Sequence, residues 1–364
     1  VGISVNEVDQ EPLTTKQIIW VVAALAPIGI ISLPQEINRY AQQSGWITLL
    51  AAFVAVIIFS RFIFALAKRH PGESIHNILK KILGKWLGYG VTLLLLAQII
   101  AGCGVSTRLL AEGANTYLLF HTPSAVIVAA MLLSVIYIVN KGLFAVARLN
   151  TLIQPVMLSI LLIMFLLTIP FTDFSHFLPL VSDKLDLGKS IFPSLFPYVT
   201  LFSTVFLLHQ APEPKKLLRG IRWGVLFIFA PSFLLFVFTE AIFGTIEINY
   251  IEYPSIDMAR IISYPMVERM EILYMIYWIM FEFTLLTITC TLSVYGLKRL
   301  VNKGSIRLWS IIVLCIVFAL SRWPANIDMA RHLSSTLNQT SMGILIGVYP
   351  LIVLIDAVKK KVSR

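Results

Sequence analysis

The residues of this chain that could do chemistry are suited to holding a small molecule. The stretch Ala26-Pro27-Ile28-Gly29-Ile30-Ile31-Ser32-Leu33-Pro34 sets two prolines and a glycine in the middle of an apolar segment. A proline inside a helix removes one intrahelical hydrogen bond and clashes with the preceding turn. In lipid a freed backbone group is costly unless it is buried in protein or lines a wet cavity. The spacing therefore predicts unwound backbone that grips a ligand, with a simple proline kink as the plainer alternative. Free amides near Ile30 and Ile31, at the start of the second half-helix, would hold a carboxylate. Bare carbonyls near Ile28, beside the space left by Gly29, would suit an ammonium group or a small cation.

Other segments offer walls for such a pocket. Gln98 and Gly102 are four apart and share a helix face, as do Thr284, Thr287 and Thr291. A further segment brings Tyr198, Ser203 and Thr204. A single Ser or Thr in a membrane helix usually bonds its own backbone, whereas the amide of Gln98 must find partners elsewhere. Three carboxyls inside or beside apolar runs, Glu36, Glu240 and Glu282, are candidates for proton or ion coupling. Bonding to an arginine or to backbone on a neighbouring helix is the equal alternative, and sodium, proton and no coupling all stay open. Arg108 and Glu112, four apart, are expected to pair. There is no phosphate-binding loop, nucleophile elbow, HExxH or cysteine spacing for a metal, so neither an enzyme nor a cofactor is expected. Cys103, Cys290 and Cys315 all fall in apolar runs and read as buried thiols.

The elements that must position these residues are membrane helices. The chain has 364 residues, 58% hydrophobic and 13% charged, with a mean hydropathy of +0.84. Soluble domains carry about 25% charged residues. Runs near the length needed to cross a bilayer give an all-α integral membrane protein with ten transmembrane helices. They lie at 17–40, 45–66, 87–110, 124–139, 150–170, 190–209, 221–246, 270–298, 306–323 and 341–358. The net charge of +10 sits in short loops and gives no reason to expect nucleic acid. Lysine and arginine concentrate in alternate loops, as in Lys80, Lys81, Lys215, Lys216, Lys298, Arg299 and the Lys359-Lys360-Lys361 tail. That bias places both termini in the cytoplasm. The polar, acidic start (Glu7, Asp9, Glu11) leads directly into the first span, so no cleavable signal peptide is expected. Residues 256–262 are expected to form a short helix over the outer mouth, and 71–86 an amphipathic helix at the inner interface.

Pro27 and Pro34 in the first span are matched by Pro193 and Pro197 in the sixth. Five spans followed by five more have opposite orientations, since five is odd. Paired broken helices at corresponding places point to a 5+5 inverted repeat with interrupted helices 1 and 6 and a site near the midplane. The chain is thus read as a single transmembrane domain, 1–364. Its halves are 1–170 and 190–359, joined by an outer loop at 171–189.

Several short motifs carry a resemblance. They are Gly29-Ile30-Ile31-Ser32-Leu33-Pro34, Ser44-Gly45-Trp46-Ile47-Thr48, Pro71-Gly72-Glu73 and Leu83-Gly84-Lys85-Trp86-Leu87-Gly88. Thr107-Arg108-Leu109-Leu110-Ala111-Glu112, Tyr253-Pro254-Ser255, Glu268-Arg269-Met270-Glu271 and Tyr349-Pro350 complete the set. In this order the chain resembles the B-subunit family of spore germinant receptors, a branch of the amino acid–polyamine–organocation transporter superfamily. The resemblance implies a leucine-transporter-like fold and the sensing of a germinant, commonly an amino acid, at the inner spore membrane. It implies as partners a larger membrane A-subunit and a lipoprotein C-subunit. Pro27 stands where such members often carry a second glycine, and the acidic residue some place near Phe206 is missing. An amino acid permease, or an ion or water conduit gated by partners, would use the same fold.

Overall fold

A threonine starts the first described helix. The Thr14 hydroxyl accepts a hydrogen bond from the Gln17 backbone N–H, and the Gln17 side-chain oxygen accepts one from the Thr14 N–H, a reciprocal cap. The computed structural model describes residues 12–26, 30, 32–211, 213–251, 253–263 and 269–362. Every element among the described residues is helical. Among the described residues, seven helices are long and apolar enough to cross a membrane, and Ser124–Val139 is a shorter apolar helix. The chain is a multi-pass membrane protein.

Helix α1 (Thr15–Ala23) stops where the prolines and glycine begin, and α2 (Leu33–Ala41) resumes with Pro34 in its first turn. A proline is tolerated there because that N–H has no helical partner. Pro27, Ile28, Gly29 and Ile31 lie outside the described residues. Helix α3 (Gly45–Arg69) follows, then α4 (Ile75–Leu83), capped by Ser74. The expected interfacial helix is thus α4, but its apolar face is buried within the protein. A Cβ built on Gly88 would sit 2.7 Å from the Lys80 backbone nitrogen, so α4 lies directly on helix α5 (Lys85–Tyr117).

Helices α6 (Ser124–Val139) and α7 (Leu143–Thr168) complete the first half of the chain. Helix α8 (Leu187–Leu195) is capped by Asp186, which accepts from the Lys189 backbone N–H at 3.0 Å. That hydrogen bond holds the Asp186 carboxyl below the usual carboxylate range. The sixth apolar run then departs from expectation. It does not unwind at its prolines. It tightens into a 3-10 helix from Phe196 to Leu207, beginning with the Phe196 N–H donating to the Pro193 carbonyl three residues back. Pro197 has no N–H to donate to Pro193 four residues back, so the α pattern cannot continue there. A 3-10 run of this length is uncommon and marks a functional or strained segment.

Helix α9 (Pro214–Glu247) carries Gly220 and Gly224, where a Cβ would lie 2.3 Å from Ile18 and 2.5 Å from Val22 of α1. Small residues here let the two helices approach closely. The expected outer helix is α10 (Pro254–Ile261). Helices α11 (Met270–Val301) and α12 (Ile306–Arg322) precede a last element that begins earlier than its hydropathy suggested. It starts at Ile327, not near 341, as α13 (Ile327–Gly343). It passes through a π-helical turn (Ile344–Val348) and ends as α14 (Tyr349–Val362). Cys103 and Cys290 are buried, whereas Cys315 is exposed on α12, against expectation.

Candidate functional site

Two cavities stack along α5, the 3-10 segment, α11 and α13. The wider, a vestibule of about 1030 Å³, opens at the surface beside Arg39, Lys189 and Tyr250. Its walls include Ser32 and Gln35 of α2, Phe192 and Phe196, Leu109 of α5, Trp278 of α11 and the polar face of α13. The smaller is a chamber of about 60 Å³. It is lined by Gln98, Gly102 and Ser106 of α5, by Val199, Thr200, Phe202 and Ser203, by Leu285 and Thr289 of α11, and by Ser334, Leu337, Asn338 and Ser341 of α13. Ser334 and Asn338 line both cavities, so α13 is their common wall.

The chamber is held together by one amide. Gln98 Nε2 approaches the Leu337 carbonyl at 2.7 Å, Ser341 Oγ at 2.9 Å and Thr340 Oγ1 at 3.0 Å. An amide nitrogen has two protons, so these three acceptors share two donors across the α5–α13 seam. On the opposite wall Cys103 Sγ meets Thr289 Oγ1 at 3.1 Å. Ser203 donates to the Thr200 carbonyl at 2.7 Å, while the buried Thr200 hydroxyl has no partner.

The residues singled out from sequence separate into groups. Gln98, Gly102 and Ser203 come together in the chamber. Ile28, Gly29 and Ile31 lie outside the described residues. Ile30 lines a third cavity of about 40 Å³, with Gln154, Tyr277 and Phe281. Tyr198, Thr204, Thr284 and Thr287 line none of these three cavities. The 3-10 geometry explains part of this, because residues three apart share a face at three residues per turn. Tyr198, Leu201 and Thr204 form one such row, turned into the packing. Thr200 and Ser203 form another, turned toward the chamber. Thr284 is engaged by Gln154 Nε2 of α7 at 2.8 Å, and Thr287 donates to the Thr284 carbonyl at 2.8 Å.

The three carboxyls differ sharply. Glu36 lines the vestibule and pairs with Arg39 at 3.4 Å. Glu240 is fully buried, with Oε1 accepting from the Thr245 hydroxyl at 2.7 Å and Oε2 without a partner. Glu282 is fully buried and neither oxygen has a partner; the Ser106 hydroxyl faces it without reaching hydrogen-bond geometry. Arg108 and Glu112 pair at 2.8 Å. Sequence reading missed Ser106, Thr200, Ser334, Asn338 and Ser341. For α13 the signal was the polar stripe 331, 334, 335, 338 and 341, at helical spacing.

Known proteins share this arrangement of helices. The structure resembles Mhp1, a nucleobase-cation-symport-1 family transporter solved in a closed conformation with bromovinylhydantoin bound. That TM-score is 0.67 at 15% identity, covering 94% of this chain and 78% of that one. A Na+-coupled sialic acid symporter gives 0.63 at 15% identity, over 94% and 79%. At these identities the likeness establishes a secondary-transporter fold. In sequence, spore germination protein A2 of Bacillus subtilis (strain 168) is 25% identical over 356 residues, 96% of this chain and 97% of that protein. Spore germination protein YndE of the same organism is 23% identical, over 94% and 95%. GerQB of Bacillus cereus, also a spore germination protein, is 22% identical, over 93% of each. The model of the spore germination protein family matches residues 12–330, most of the sequence, and the chain belongs to that family.

Proposed function

We propose that this chain is the non-enzymatic, ligand-binding membrane subunit of a germinant receptor, and that it holds a small amino acid in the chamber between α5, the 3-10 segment, α11 and α13. The observation that carries this is the chamber itself, a small space inside a transporter fold with hydroxyls and amides among its lining residues, which shares Ser334 and Asn338 with the wide vestibule. Family membership supplies the germination context. In this reading the chain crosses the membrane ten times, α1 and α2 counting as one broken span and Ile327 to Val362 as the last. The two halves form the 5+5 inverted repeat, supported by the proline pairs at 27/34 and 193/197. The alternation of basic loops supports cytoplasmic termini, facing the spore core across the inner spore membrane. An A-type membrane subunit and a C-type lipoprotein are the partners that would relay occupancy. Of the three carboxyls, Glu282 is the one whose oxygens stand unpartnered behind a chamber residue, which favours it for any coupling to protons.

The likeness to cation-coupled symporters favours a second reading, an amino acid permease. Calorimetry of the chain in nanodiscs against single amino acids, with uptake of the same labelled compounds into proteoliposomes, separates the two. The receptor reading expects saturable binding without net uptake, and loss of binding in Gln98→Ala. Uptake above that of empty liposomes establishes the permease, and a folded protein that binds no amino acid overturns both.

A further inference from the structure

This inference rests on the reading above and concerns how large the bound solute is and what sets that limit. The chamber measures about 60 Å³, and a water needs roughly 10–15 Å³ of such space, so about four to six water-sized groups fit. Its polar lining consists of hydroxyls, amides and one thiol, with no charged side chain among the described residues. A net charge placed there would have no counter-ion on the wall, which is costly away from water. The polar side chains at its wall, Gln98, Ser203, Asn338 and Ser341 among them, offer neutral donors and acceptors only.

Gly102 occupies the one backbone position on this wall where a side chain has been left out. A Cβ built on it meets nothing within 4 Å, and Gly102 is itself one of the residues that line the chamber. Two residues on, at Gly104, the same atom would lie 2.5 Å from Leu320 of α12. The emptiness beside Gly102 therefore belongs to the chamber, and any side chain there projects into the space a solute would take.

We propose that the chamber accepts a solute with no net charge and about four to six non-hydrogen atoms, the size of the smallest amino acids as zwitterions, and that Gly102 sets the upper limit. The solute enters from the vestibule past Ser334 and Asn338, the residues common to both spaces.

The test is calorimetry on the full chain in nanodiscs, wild type beside Gly102→Ala and Gly102→Val. The probes are glycine, L-alanine, L-valine and L-phenylalanine, with acetate and methylammonium as singly charged fragments. The wild type is expected to bind glycine and L-alanine, to bind L-valine about tenfold more weakly or worse, and to ignore L-phenylalanine and both fragments. Gly102→Ala is expected to keep glycine and weaken L-alanine by about tenfold. Gly102→Val loses both, with its thermal unfolding unchanged. Wild-type binding with no order of size, or an order unmoved by Gly102→Ala, overturns this inference and leaves the amino acid reading standing. Acetate or methylammonium binding as well as glycine overturns the requirement for no net charge. A folded wild type that binds none of the four amino acids overturns the amino acid reading and this inference with it.

Discussion

The two sides of α5 put the same residue type to opposite uses. Toward α12, Gly104 removes a side chain so that another helix can come close: a Cβ there would meet Leu320 Cβ at 2.5 Å and the Val317 carbonyl at 3.3 Å. Toward α13, Gly102 removes a side chain and nothing moves in to fill the place. The first side follows the ordinary rule of membrane packing, in which small residues let backbones approach. The second keeps a gap that packing would otherwise close, and it bridges that gap with the Gln98 amide. A gap held open by a polar strut serves something other than stability.

The comparison breaks most violently at Gly104. Gly104→Leu drives a large side chain into backbone as well as side-chain atoms of α12, which cannot simply rotate away. Overpacking of this kind costs about 3 kcal/mol. Thermal unfolding of the variant in nanodiscs should show a much lower midpoint or no folded protein at all. A wild-type midpoint would mean that α12 does not lie against α5 as described.

A smaller effect is expected across the other seam. Gln98→Ala removes the donors that hold Leu337, Thr340 and Ser341, but Thr340 keeps its bond to the Thr336 carbonyl at 2.9 Å. Interhelical hydrogen bonds in membranes are worth about 0.6 kcal/mol on average and up to roughly 2. The expected loss is therefore about 1 kcal/mol, with faster amide exchange confined to the α13 face that lines the chamber. Exchange that rises equally in α12 would show that the two seams are not independent.

How far these features were legible depended on what each residue does to the backbone. The interruption of the first span, between Ala23 and Leu33, was legible because prolines act locally, wherever the chain goes next. The sixth span was half legible: Pro197 announces that α geometry ends, but whether the chain unwinds or tightens is decided by what packs around it. The 3-10 form then regrouped Tyr198 with Thr204 and Thr200 with Ser203, a sorting that a 3.6-residue period hides. Helix α13 was illegible to hydropathy because one of its faces lines the vestibule, so residues 327–340 look like a loop until Gln98 is seen to grip them. Gly102 and Gly104 read identically in sequence, as two small residues flanking a cysteine. Their difference exists only in what lies opposite.

That last point gives the smallest and most discriminating prediction, a matched pair on one helix. A Cβ at Gly90 also meets nothing within 4 Å, but Gly90 lies on the exposed surface of α5 while Gly102 faces the chamber. Replacing a helix-interior glycine with alanine where space is free gains roughly 0.5–1 kcal/mol, because the glycine's extra backbone freedom no longer has to be lost on folding. Gly90→Ala and Gly102→Ala should therefore raise the unfolding midpoint by the same small amount. A lower midpoint in Gly102→Ala alone would mean that its neighbours crowd the position, and the gap would then be packing and not a site. Equal midpoints, with binding of L-alanine retained in Gly90→Ala and weakened in Gly102→Ala, can arise only if one glycine opens onto the exterior and the other onto the solute.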